Sequence, residues 1–141
     1  MYGIEQILEL LPHRYPFVML DRILAVESGI KIHGIKNLSY QEPCFQGHIP
    51  QKPIFPGVYM IEALAQIAGI LLMLSEPINK DKMFVLAKVE KAKFKKFLIP
   101  GDQLQLHAEF IRSKQGLYHF KGHIEVDNKI AMQAEFWLAE G

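Results

Sequence analysis

The chain has 141 residues, 50% of them hydrophobic and 22% charged, which fits one folded domain and excludes a disordered chain or two comfortable domains. A formal net charge of +1, with no aromatic–basic cluster, argues against a nucleic-acid partner. The single cysteine, Cys44, excludes an intrachain disulfide framework and suits a reducing cytoplasm.

The opening residues MYGIEQILEL lack a basic region followed by an apolar core, so no secretory signal is expected. Within IEQILELL, Ile4, Ile7, Leu8 and Leu11 fall at helical spacing and predict a short amphipathic helix. Pro12 and Pro16 end it and leave PHRYP as a turn. The run FVMLDRILAVE reads as extended and largely buried. Gly29 then permits a turn into KIHGIKNL, a hairpin partner. Next comes SYQEPCFQGHIPQKPIFPG, where Pro43, Gly47, Pro50, Pro53, Pro56 and Gly57 predict an ordered loop without regular structure.

VYMIEALAQIAGILLML, Val58 to Leu74, is a long apolar helix that Pro77 closes. It sits at the lower length limit for a membrane span and carries Glu62 and Gln66, so it is expected to be buried inside a soluble protein, with no membrane. Beyond it the apolar period changes from helical to alternating. Leu104, Leu106, Ala108 and Phe110 alternate, as do Tyr118, Phe120, Ile124 and Val126, then Ile130, Met132, Ala134, Phe136 and Leu138. With MFVLAKVEKAKFKKFLI these segments predict four antiparallel strands, each with one apolar and one polar face. The expected architecture is a single α+β domain over residues 1–141, its curved sheet wrapped around the long helix.

The helix poses a chemical question. A carboxylate in an apolar setting needs a partner or takes up a proton, and Glu62 is in such a setting. His48 precedes it by 14 positions, in the ordered loop. The two could meet within one chain, or a symmetric dimer could bring the histidine of one subunit to the glutamate of the other. Histidine and a carboxylate of raised pKa make a base and acid pair near neutral pH. Gly57 stands at the helix start, where free backbone N–H groups and the helix dipole favour negative charge. The amides of Gly57 and Val58 could hold a carbonyl oxygen as it gains enolate character. Together these groups suit proton abstraction beside a carbonyl and loss of a β-hydroxyl.

LPHRYPFVMLDRI, NLSYQEPCFQGHIPQKPIFPGVYMIEALAQ and AKFKKFLIPGDQL resemble the (3R)-hydroxyacyl-[acyl carrier protein] dehydratases of type II fatty acid synthesis, in register along nearly the whole chain. The resemblance implies a hot-dog fold and a homodimer with active sites at the subunit interface, commonly a trimer of dimers. It implies that His48 and Glu62, from opposite subunits, are the catalytic pair, and that the amides near Gly57 and Val58 hold the thioester carbonyl. Gln66 would hydrogen-bond Glu62, and Ile54, Phe55 and Val58 would line a tunnel for the acyl chain. The family usually reads H-F-P-G where this chain has His48, Ile49, Pro50 and Gln51. Relatives that also isomerise the double bond carry aspartate at the acid position, so Glu62 implies dehydration alone. Such a reaction moves only protons and water, so no metal or redox cofactor is expected, and phosphopantetheine arrives with the substrate. Two rivals share the fold: an acyl thioesterase and a non-catalytic acyl-binding protein.

Other residues draw plainer readings. His119 and His123 would suit a metal on a helix, but their strand pattern with Lys121 and Glu125 predicts a solvated face. His33 and His107 are expected to serve packing. Cys44 has no activating base beside it in sequence, and His13 and Arg14 are assigned a structural role. Lys91, Lys93 and Lys95 are expected to share a strand face, a pattern that also protects an exposed sheet edge. The resemblance implies that Lys95 and Lys96 dock the acidic acyl carrier protein, steered by charge.

Overall fold

The computed structural model describes residues 1–75 and 81–141. The helices are α1 (Ile4–Leu10), α2 (Cys44–Gly47) and α3 (Gly57–Ser75), and the strands β1 (Arg22–Glu27), β2 (Lys31–Asn37), β3 (Phe84–Phe94), β4 (Gln103–Lys114), β5 (Leu117–Val126) and β6 (Lys129–Glu140). The expected closure of the long helix at Pro77 falls outside the described residues. The short helix α2, within the breaker-rich loop, was not expected.

All strand pairs are antiparallel, in the order β1-β2-β4-β5-β6-β3, and α3 packs against β2, β3, β4, β5 and β6. This is the hot-dog arrangement, a sheet around one helix. Burial from several sides explains the uniform apolarity of α3, whose Ala63, Leu64, Ile67, Ala68 and Ile70 are fully enclosed. Although α3 is long and apolar enough to cross a membrane, it is the buried core helix of this fold.

The inner sheet face carries Ile32, Leu104, Leu106, Phe120, Ile124, Met132, Phe136 and Leu138, close to the predicted alternation. Two glycines let the helix approach closely. A Cβ at Gly34 would lie 2.7 Å from the Arg22 carbonyl oxygen and 2.8 Å from Ile67 Cδ1, and one at Gly122 would lie 3.2 Å from Leu64 Cδ1.

Two expectations for the outer face need correction. Lys91, Lys93 and Lys95 do not form one regular row, because β3 is bulged between Glu90 and Lys93, with Lys91 at φ +54°. Lys91 turns to Glu135, 3.3 Å away. His119 is not on a solvated surface: it is 7% exposed, stacked on Trp137 at 4.1 Å between ring centroids, with Nε2 2.9 Å from Glu135 Oε1. A flat cross-strand tryptophan covers an outward-facing side chain as well as a core would.

Candidate active site

Glu62 lies on the second turn of α3 and lines a cavity of about 110 Å³ with His13, Gln66, Met73, Phe84 and Leu86 among its walls. Its neighbour along the helix fixes it. Gln66 is 2% exposed, and its side chain is fully used: Nε2 donates to Glu62 Oε2 at 3.2 Å and to the Phe17 carbonyl at 2.8 Å, and Oε1 accepts from the Met19 amide at 2.9 Å. The amide thereby staples the segment before β1 to α3 and holds one carboxylate oxygen. The other, Oε1, accepts no hydrogen bond among the described residues.

The histidine beside Glu62 within one chain is His13, a residue expected from its motif to be structural. Its Nε2 is 3.8 Å from Glu62 Oε2, and its buried Nδ1 has no hydrogen-bond partner. Arg14 does have the structural role expected. Its guanidinium donates to the carbonyls of Leu8, Leu11 and His13, satisfying the end of α1 and fixing the turn that presents His13. Only membership of the PHRYP motif hinted at His13, since a contact 49 positions apart leaves no periodic trace.

His48 is exposed, at the end of α2, and does not line the Glu62 cavity. Its Nδ1 lies 2.8 Å from the Ile54 carbonyl oxygen. A carbonyl can only accept, so this bond assigns the proton to Nδ1 and leaves the Nε2 lone pair of the neutral ring free. The Ile54 amide returns a bond to the His48 carbonyl at 3.0 Å, which braces the loop.

Gly57 begins α3, as expected. Among the described residues, no hydrogen bond engages the amides of Gly57 or Val58, whereas Tyr59 and Met60 already donate to the Pro56 carbonyl. A Cβ on Gly57 would fall 3.0 Å from the Phe94 ring. Two unengaged donors at a helix start can receive a developing oxyanion.

The proposed tunnel residues are more dispersed. Ile54 is half-buried, and Val58 is 70% exposed. Phe55 is a core residue, 1% exposed and packed between Phe45 and Tyr59 at ring-centroid distances of 6.3 and 5.8 Å. None of the three lines the Glu62 cavity of its own chain. Lys95 is exposed and Lys96 half-buried, and both backbone amides donate to the Ala131 carbonyl. They stand beside a rim of exposed apolar residues that includes Phe94 and Phe97. Burial and the nearby Glu42 raise the Cys44 thiol above its ordinary pKa, consistent with an unreactive cysteine.

The sequence model of the FabA-like domain matches residues 11–135. The chain belongs to the FabA-like family. It is 47% identical over 137 residues to the 3-hydroxyacyl-[acyl-carrier-protein] dehydratase FabZ of Proteus mirabilis, covering 96% of this chain and 91% of that one. The FabZ of Pectobacterium atrosepticum is also 47% identical, over 97% of this chain and 91% of its own length. Among solved structures, the dehydratase heterocomplex ApeI:P of Xenorhabdus doucetiae superposes with a TM-score of 0.79 at 18% identity, covering 96% of this chain and 90% of that one. A hypothetical thioesterase with coenzyme A from Streptococcus pneumoniae gives 0.63 at 13% identity, covering 84% of each chain. At such identities the likeness concerns the fold, which FabA-like proteins and thioesterases share.

Proposed function

We propose that this FabA-like protein dehydrates a (3R)-3-hydroxyacyl thioester on acyl carrier protein to the trans-2-enoyl thioester. The observation that carries the reading is the acid position itself: a carboxylate in an apolar cavity, one oxygen held by Gln66 and the other free. Identity to dehydratases named for this reaction supports it. His48 Nε2 takes the α-proton while the amides of Gly57 and Val58 stabilise the thioester oxygen as it gains negative charge. Protonated Glu62 delivers its proton to the β-hydroxyl, the C–O bond breaks and water leaves. The proton on His48 then returns to Glu62, and no cofactor takes part.

Because His48 does not line the Glu62 cavity of its own chain, the pair is assigned to opposite subunits of a homodimer. The outer edge of β3 supports that assembly: it ends the sheet, and Val85, Leu86 and Phe94 along it are 44, 38 and 49% exposed. In the dimer the apolar rim with Ile54 and Val58 would complete the acyl tunnel. The dimers would group in threes, in the cytoplasm, with acyl carrier protein docking at Lys95 and Lys96.

The test follows enoyl-thioester absorbance during incubation with a 3-hydroxyacyl carrier-protein substrate. The reading expects absorbance to grow without free thiol. Thiol release without enoyl formation would mean a thioesterase, and no turnover a non-catalytic acyl-binding protein.

A further inference from the structure

A row of three imidazoles that dehydration does not use crosses the outer sheet face. His33, His107 and His123 stand directly opposite one another on β2, β4 and β5. Their rings stack with centroids 4.1 and 4.6 Å apart and interplanar angles of 12° and 9°. The outer two are engaged: His33 Nε2 lies 2.6 Å from Gln105 Oε1, and His123 Nε2 lies 2.9 Å from Glu125 Oε1. The central ring is not. Among the described residues, no hydrogen bond reaches either nitrogen of His107. One ligating atom from each of His107, His123 and Glu125 lies within 4.8 Å of the others.

We propose that His107, His123 and Glu125 form a binding site for a divalent transition-metal ion of the zinc class, on the sheet face away from α3. Two imidazoles and a carboxylate are a donor set that zinc takes with a fourth position open, which water can fill. Imidazole donors favour zinc, nickel, cobalt and copper over magnesium and calcium. Donor atoms around such an ion, each about 2.1 Å from it, lie roughly 3.4 Å apart in a tetrahedron. The present atoms must therefore close by at most about 1.4 Å, a change that rotation of half-exposed side chains provides. The side chains of His123 and Glu125 are 35 and 33% exposed, so they are free to make it.

The groove beside the stack also holds Lys31 and Lys121, which oppose a cation, and Glu27 and Glu109, which offset them. Lys31 already lies 4.0 Å from Glu27. A bound ion would tie β4 to β5 and stabilise the folded state by mass action. None of its ligands lines the Glu62 cavity, so it would act on stability and leave dehydration unchanged.

The test uses the full-length oligomer without a histidine tag and Zn²⁺ alone as the probe, read by calorimetry and thermal unfolding. The expected result is saturable binding of one ion per chain and an unfolding midpoint that rises with Zn²⁺ but not with Mg²⁺. His107→Gln and His123→Gln should each weaken binding roughly tenfold or more while enoyl formation persists. Co²⁺ should give visible absorption typical of low coordination number, reduced in Glu125→Gln, which also serves if a histidine variant fails to fold. Absence of saturable binding would overturn the proposal. So would Zn²⁺ binding that His107→Gln and Glu125→Gln leave intact, which would place the ion elsewhere, for instance at His13 and Glu62.

Discussion

Replacing Gln66 with leucine shortens the side chain by one atom and removes three hydrogen bonds at once. The Met19 amide suffers most, because Met19 is 2% exposed and no water can replace the lost acceptor. An orphaned buried donor costs about 1–3 kcal/mol. The Phe17 carbonyl loses a donor, but Phe17 is 41% exposed, so water compensates much of that loss. Glu62 loses the donor at 3.2 Å, a bond weakened by length and partial exposure, for about 1 kcal/mol more. Better burial of leucine returns about 1 kcal/mol, leaving a net loss of about 1–3 kcal/mol. At this chain length that lowers the unfolding midpoint by about 3–10 °C. Circular dichroism during heating, at one protein concentration for parent and variant, measures it. Dehydration should also slow, with kcat falling more than KM rises, because Glu62 loses its anchor. A midpoint within about 2 °C of the parent would refute the reasoning that Gln66 staples the segment before β1 to α3.

Gly34→Ala should cost about 2–3 kcal/mol, since the added carbon meets the Arg22 backbone oxygen at 2.7 Å and that atom cannot swing aside. Gly69→Ala, inside the same helix-and-sheet core but with nothing within 4 Å, should be neutral or stabilising by up to about 1 kcal/mol; urea unfolding compares the two. His13→Gln should lower kcat about tenfold, because it removes the imidazole 3.8 Å from Glu62, while leaving the unfolding midpoint near that of the parent. A change in stability alone would return His13 to a purely structural role.

What the sequence made legible follows from periodicity. Alternation in β4, β5 and β6 and the apolar run of α3 arise from burial on one face or on all faces, and burial is written residue by residue. Contacts between distant positions leave no such record. His33, His107 and His123 look unrelated in sequence and meet only because strand register sets them opposite one another. His13 reaches Glu62 through a turn held by Arg14, which no local pattern announces. The lysine row of β3 failed as an expectation because one bulge reverses side-chain parity, and nothing in KVEKAKF signals a bulge. His48, Gly57 and Glu62 were grouped because a carboxylate in an apolar helix is costly enough to demand a chemical reason, and within one chain neither His48 nor Gly57 lines the cavity of Glu62.

The most direct measurement mixes two inactive proteins. His48→Ala and Glu62→Gln should each lower dehydration by about 10²–10⁴-fold while folding normally. Dissociated together and reassembled at equal amounts, they should recover about a quarter of parental activity, since half the dimers are mixed and each mixed dimer has one intact site. If mixed dimers form and no activity returns, base and acid do not come from different subunits. If either single variant dehydrates as fast as the parent, its residue is not part of the chemistry at all.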